Sequence, residues 1–195
     1  MHTEKSVAQD TVSAGIAVRP RSFEGVGAGG VYSVVCHDAD GNMKWSDSFH
    51  NLVVNQGLQD MNSKYFSGSG YTAAWYLGLV TGPGSGNTYA AGNTLASHAG
   101  WTENTAYTGN RKAATFGTAT TADPSLINNA VATGGTPAVF TMNANAQSIA
   151  GAFLCSVTSG TSGVLFSVGN FTGGNKTVDS GDTLTVTYEF SLDAV

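Results

Sequence analysis

The sequence predicts a mainly β protein: an antiparallel β-sandwich, jelly-roll-like, with one or two short helices and a flexible N-terminal arm. Apolar and polar side chains alternate through residues 183–192, which places one face of a strand in a core and the other in water. Three more apolar runs, at residues 138–142, 149–157 and 163–168, are separated by Asn, Gly and Ser clusters. That spacing is typical of an antiparallel sandwich.

The first 30 residues are predicted to form an arm and a Gly-rich joint, followed by one domain over residues 31–195. Residues 1–22 have neither the period of a strand nor that of a helix, and residues 25–30 contain four glycines. A disordered tail and an arm that docks on a neighbour are both open. Arg19, Arg21 and Phe23 are the candidate partner-binding residues, because positive charge is concentrated there.

The domain opens with a predicted hairpin, in which residues 31–36 and 43–49 flank an Asp-Gly turn. Asn55 is then expected to cap a short helix through Leu58, Met61 and Tyr65, which have helical spacing. The cluster Ser67-Gly68-Ser69-Gly70 ends it.

Residues 74–80 are a continuous apolar run of strand length and predict a strand buried on both faces. Residues 88–105 read as a loop with one helical turn, and a short strand is expected around residues 114–116. These middle segments carry the weakest patterns of the chain.

Composition excludes several classes of function. Only 11% of the 195 residues are charged, against about 25% in an average globular chain, so the surface is expected to be Thr, Ser, Asn and Gly. A net charge of −5 with no basic cluster argues against nucleic acid as a partner. No 18-residue apolar run or signal-peptide core is visible, so we expect no membrane association and synthesis in the cytoplasm.

Cys36 and Cys155 each lie in an apolar stretch and are expected to be buried free thiols, with a disulfide as the less favoured alternative. Two glycosylation patterns, at Asn170 and Asn175, are interpreted as turns. No cofactor or metal site is predicted.

Two motifs that resemble ligand sites lack the context they need. The glycines of residues 25–30 match a dinucleotide fingerprint, but a strand follows them where a helix is required. Asp38, Asp40 and Asn42 open like a calcium loop, yet the twelfth position is Phe49 instead of Glu. An ordinary hairpin tip is favoured there, with a looser calcium site as the alternative.

His98 and Glu103 are a candidate acid-base pair, but no nucleophile accompanies them, and a loop histidine beside a packed tryptophan is favoured. The chain is therefore expected not to be an enzyme. Trp75, Tyr76, Trp101 and Tyr107 offer a second alternative, a sugar-binding platform, against the favoured interpretation of core packing.

A set of motifs between residues 45 and 192 resembles small virion structural proteins of tailed bacteriophages. The motifs are Trp45, Phe49-His50-Asn51-Leu52-Val53-Val54-Asn55-Gln56-Gly57-Leu58, Trp75-Tyr76-Leu77-Gly78-Leu79-Val80, Ala96-Ser97-His98-Ala99-Gly100-Trp101-Thr102-Glu103, Arg111-Lys112-Ala113, Ile149-Ala150-Gly151-Ala152-Phe153-Leu154 and Gly181-Asp182-Thr183-Leu184-Thr185-Val186-Thr187-Tyr188. The segment before residue 30 lies outside the resemblance.

The resemblance implies a non-enzymatic protein that decorates or cements a capsid shell. Its expected partners are the major capsid protein and copies of itself, as a trimer or dimer, and its expected location is the capsid exterior after assembly in the host cytoplasm. The alternatives are a tail, baseplate or fibre component that contacts the host surface, and a carbohydrate-binding β module.

Overall fold

The computed structural model describes residues 25–70, 74–82 and 86–194. The described chain contains one α-helix, α1 (Asn55–Phe66), a 3-10 turn at Val131–Thr133 and twelve strands. The strands are β1 (Val26–His37), β2 (Met43–His50), β3 (Leu52–Val53), β4 (Tyr76–Thr81), β5 (Glu103–Asn104), β6 (Lys112–Ala113), β7 (Ser125–Asn128), β8 (Ala138–Thr141), β9 (Gln147–Cys155), β10 (Leu165–Asn170), β11 (Lys176–Val178) and β12 (Thr183–Ala194).

The strands form two antiparallel sheets. The first sheet has the order β2-β1-β12-β7, with β8 also paired to β12. The second has the order β3-β10-β9-β4-β5, with β11 on β9 and β6 on β4. The predicted mainly β, antiparallel fold with one or two short helical elements is therefore confirmed, and the arrangement is sandwich-like. The jelly-roll type stays a prediction.

The main core lies between the two sheets. Along β12 the residues Leu184, Val186, Tyr188 and Phe190 are buried, while the side chains between them are half-buried, which confirms the predicted alternation. These side chains pack against the facing sheet in one cluster with Leu77, Leu79 and Leu154. The predicted strands of the last third are all present, with ends shifted by a few residues.

The second sheet is buried on its outer face as well. Val80, Phe153 and Val168 belong to a second cluster, which Leu95 and Trp101 of the loop after residue 86 complete. This extra layer explains why residues 77–80 are all buried, as predicted from their continuous apolar run. Cys36 and Cys155 are buried free thiols, again as predicted.

The predicted Gly-rich joint is wrong over its described residues. β1 begins at Val26, and its ladder with β12 runs from Val26 opposite Ala194 to His37 opposite Thr183. The glycines of β1 allow close contact with residues of β12. A Cβ at Gly30 would lie 2.6 Å from the Tyr188 hydroxyl, so the core tyrosine requires a glycine at that position. The predicted arm, residues 1–24, lies outside the described residues.

The helix is present as predicted, but Asn55 is not its N-cap. Val54 occupies the cap position without a side-chain cap hydrogen bond, and Asn55 is the first helical residue. The helix is fixed instead by close contact, since a Cβ at Gly57 would lie 2.6 Å from the Phe166 carbonyl oxygen. Of its predicted apolar face, Met61 packs on the core, whereas Leu58 and Tyr65 are exposed.

The middle of the chain departs furthest from prediction. The strand expected around residues 114–116 is the two-residue β6 at Lys112–Ala113, and Thr115 forms only an isolated bridge with Thr136. The described part of residues 88–105 contains no helical turn and ends in β5. Side-chain packing on the second sheet holds this loop in place. Its sequence therefore has no clear helical or strand periodicity.

Candidate partner-binding surface

The three residues predicted to bind a partner, Arg19, Arg21 and Phe23, lie outside the described residues. The other candidate sites from the sequence fall within them.

His98 and Glu103 do not form an acid-base pair. The imidazole of His98 stacks on Trp101 with ring centroids 4.0 Å apart, and its Nδ1 lies 3.0 Å from the Trp101 carbonyl oxygen. The carboxylate of Glu103 instead accepts two hydrogen bonds from Arg111, at 2.8 Å from Nε and 2.7 Å from Nη2. The favoured interpretation, a loop histidine beside a packed tryptophan, matches this geometry.

The four aromatic residues proposed as a sugar-binding platform do not form one. Trp101 and Tyr107 are only 4% and 3% exposed. Trp75 packs on the core between the sheets, whereas Trp101 belongs to the cluster on the opposite face of the second sheet. These rings are used in packing, so they present no shared flat surface to a sugar.

The hairpin tip from Asp38 to Asn42 is accounted for by its own hydrogen bonds. Asp38 Oδ1 accepts the backbone N–H of Asn42 at 2.8 Å and that of Asp40 at 3.0 Å. The Asn42 bond, the largest influence, holds the pKa of the Asp38 carboxyl below its ordinary value. No group of three or more His, Cys, Asp or Glu side chains suited to a metal occurs among the described residues.

An apolar groove opens at one end of the sandwich, between α1 and the inner faces of both sheets. Its volume is about 230 Å³. It is lined by Asp60, Met61, Lys64, Trp75, Phe116, Ile127, Leu154, Phe166, Tyr188 and Phe190. Phe166 is its centre, in edge-to-face contact with both Trp75 and Phe190 at centroid distances of 5.3 Å. We call this feature the groove.

The groove exists because α1 covers that end of the core incompletely. Gly57 brings the start of the helix against Phe166, and Met61 covers the next part of the core. Lys64, one turn later, carries a charge that has to keep contact with water. The helix therefore leaves apolar rings of both sheets partly uncovered below its second half.

The end of α1 presents an exposed aromatic pair beside the groove. Tyr65 is 83% exposed and Phe66 is 79% exposed, and their rings meet edge to face with centroids 4.9 Å apart. Leu58 lies two turns before Tyr65 on the same side of the helix and is also exposed. We call Leu58, Tyr65 and Phe66 the helix surface.

The polar groups around the groove are uncharged or paired. Asp60 and Lys64 form an ion pair at 3.8 Å. Tyr188 accepts a hydrogen bond from Asn51 Nδ2 at 2.8 Å, and burial raises its pKa, so the phenol stays neutral at physiological pH. Tyr32 contacts Ser167 Oγ at 2.7 Å in the same polar layer. With its two charged lining residues paired to each other, the rest of the described lining suits apolar contact.

The groove has no signal in the sequence, because its lining comes from distant segments that only the fold brings together. The helix surface did carry a local signal. Tyr65 and Phe66 are adjacent aromatic residues at the end of a helix, and adjacent positions there point in different directions. The two rings are therefore not expected to lie on the same face of the helix.

No protein-family model, curated protein or solved structure matches this chain. In the part of the chain that the structure describes, no helix has both the length and the hydropathy needed to cross a membrane.

Proposed function

We propose that this chain is a non-enzymatic virion structural protein of a tailed phage, which decorates or cements the capsid shell. It binds the lattice of the major capsid protein and neighbouring copies of itself on the capsid exterior. The resemblance of residues 45–192 to such proteins supports the phage assignment. The surface of the fold supports binding to protein as the activity.

The helix surface is the observation that carries the proposal. Tyr65 and Phe66 are each about four-fifths exposed. They present to solvent an apolar area that a folded protein normally buries. Aromatic residues dominate the binding energy of protein interfaces. Because α1 is held against Phe166 by Gly57, the pair is presented on a fixed support and loses little conformational freedom on docking.

The outer face of the first sheet fits a protein packed at high density. Along β1, β2 and β12 its outward residues include Ser33, Ser46, Ser48, Thr185 and Thr187. Such a face repels neighbouring copies weakly, because few charges oppose one another.

The physical basis of cementing is mass action. A protein that binds only the assembled shell shifts the equilibrium towards the assembled state, even when each contact is weak. Many copies on a lattice add up to a large effect.

Gold-labelled antibody against this chain, applied to virions of the phage that encodes it, tests the proposal by electron microscopy. We expect label over the shell. Label confined to the tail or baseplate would support the alternative of a tail component, and the absence of label from virions would exclude a structural role.

A further inference from the structure

The groove is an apolar site that the described residues leave open. We propose that it is filled by the N-terminal segment of the same chain, residues 16–23, with Phe23 against Phe190. This contact lies within one molecule. The proposed contact is separate from shell binding and does not depend on shell binding.

The described chain begins beside the groove. Val26, the first residue of β1, lies opposite Ala194, and Gly30 lies opposite Phe190, which lines the groove. At about 3.3 Å per residue, four residues along β1 span roughly 13 Å. Phe23 is three residues before Val26, a backbone reach of about 10 Å that its side chain extends. If the chain reverses before Val26, the backbone and side chain of Phe23 together span the distance to Phe190, and residues 16–18 are long enough to extend further into the groove.

An apolar path connects this starting point to the groove. Tyr32 and Gly30 face the core, so Ala28 and Val26 face the same side of β1. Val26 is 72% exposed, and Ala28 and Leu192 pack only partly on the core. The inner face of the first sheet thus continues from Phe190 towards the start of β1 and becomes more exposed along the way.

The segment has the side chains that this surface needs. Ile16, Val18 and Phe23 are apolar, and Arg19 and Arg21 are basic. An engineered cavity of about 150 Å³ with apolar walls binds benzene, so a groove of about 230 Å³ has room for a phenyl ring.

Charge also favours the basic segment at this end of the fold. Asp60 lines the groove, and the Asp123 carboxylate accepts the N–H of Ala194 at 3.2 Å, beside the exposed Asp193. Lys64 is the one basic side chain among the lining residues. Asp60 is paired with Lys64, so the attraction for Arg19 and Arg21 comes from the Asp123 and Asp193 carboxylates near the end of β12, which pairs with the start of β1.

Tethering makes weak contacts sufficient. A short linker holds a peptide at an effective concentration in the millimolar range near its site. The segment needs only modest intrinsic affinity to occupy the groove most of the time.

Photo-crosslinking on the full-length chain tests the proposal. The photoreactive residue p-benzoylphenylalanine is placed at position 23, where it resembles the native phenylalanine, and crosslinked peptides are identified by mass spectrometry. We expect crosslinks to Met61 and to the segments holding Phe116 and Ile127. The same photoreactive residue at Met43, which is 66% exposed on β2, is the control and should give none of these products.

Isotope mixing separates the two possible sources of the segment. In an equal mixture of ¹⁵N-labelled and unlabelled chains, contact within one molecule gives crosslinks of uniform mass only. Mixed-mass crosslinks would show that a second copy supplies the segment and would overturn the proposal. Crosslinks spread over the surface, or none to the groove, would overturn it as well.

A second measurement avoids any change to the folded domain. In chains with ¹³C-labelled methionine methyl groups, Phe23→Leu removes an aromatic ring from the segment and should shift the Met61 methyl resonance. The Met43 and Met142 resonances should stay in place. An unchanged Met61 resonance would contradict the proposal, and neither result bears on shell binding.

Discussion

The ring of Phe153 occupies the space that a Cβ at Gly78 would need. The two residues are directly opposite on β9 and β4, and a Cβ at Gly78 would lie 2.3 Å from Phe153 Cζ. Trp101 packs on the same ring at a centroid distance of 5.2 Å, and the Arg111 guanidinium lies over it at 5.2 Å. The loop after residue 86 that covers the second sheet, which we call the loop layer, therefore packs on an aromatic ring. That ring fits in its position because residue 78 is a glycine.

Gly78→Ala should destabilise the fold by about 1–3 kcal/mol, because overpacking a rigid core forces ring and backbone to move. Urea denaturation followed by circular dichroism measures the loss. Gly92→Ala is the matched control, since nothing lies within 4 Å of a Cβ at that glycine, and it should change stability by less than about 0.5 kcal/mol. Equal effects of the two substitutions would contradict the packing of Phe153 on Gly78.

Arg111→Met should cost about 3 kcal/mol of unfolding free energy, because it leaves the Glu103 carboxylate partly buried without its cation. Arg111 is 7% exposed and also donates to the Val157 carbonyl oxygen at 3.2 Å, so the pair joins β5 to the end of β9.

The ion pair of Lys64 with Asp60, between neighbouring turns of α1, provides the comparison for Arg111. Lys64→Met should cost no more than about 0.5 kcal/mol in the same denaturation experiment, because a single i,i+4 pair within a helix at 3.8 Å contributes little. If Arg111→Met costs no more than Lys64→Met, the buried pair does not hold the loop layer in place.

Stability should fall in acid partly through Asp38, whose pKa is lowered in the fold by the N–H of Asn42. A carboxyl with a lowered folded pKa stabilises the protein above its unfolded pKa of about 3.9, and this contribution disappears as the pH falls through the folded value. Asp38→Asn should therefore lower the Tm at pH 7 and have less effect at pH 2.5.

Asp40→Asn is the control for this pH dependence, because the N–H bonds of the turn run to the Asp38 carboxylate. It should give nearly parallel Tm curves for variant and parent. A Tm difference for Asp38→Asn that is the same at both pH values would refute the role of its ionised form.

Both cysteines should be unreactive in the folded protein. Each is 0% exposed, and burial raises the pKa of the Cys36 thiol to about 11, so little thiolate is present at pH 8. A chromogenic disulfide reagent should find no rapidly reacting thiol in the native chain and two after denaturation. Rapid labelling of one thiol in the native state would contradict the placement of that cysteine in the core.

The sequence predicted the elements whose pattern is local. Residues 183–192 alternate because one face of β12 meets the core, and residues 74–80 are continuously apolar because two layers cover β4. β7 was missed, since its sequence Ser-Leu-Ile-Asn has no clear alternation and its pairing with β12 defines it. The groove and the contact of Gly78 with Phe153 could not be predicted, because they join residues far apart in the chain.

The most direct test of the proposed function is the binding of purified chain to intact shells of the phage that encodes it, after the shells are stripped of this protein. Co-sedimentation should show saturable binding to shells and none to isolated tails. The double variant Tyr65→Ser, Phe66→Ser should bind at least about tenfold more weakly, since losing an aromatic anchor costs 2 kcal/mol or more.

Met43→Ser removes an exposed apolar side chain on β2, away from the helix surface, and should bind shells like the parent chain. Circular dichroism first establishes that both variants are folded. We expect saturable shell binding by the parent chain and by Met43→Ser, and binding at least about tenfold weaker by the double variant. Failure of the parent chain to bind shells at any concentration, or its binding to tails alone, would show that this protein does not decorate or cement the shell.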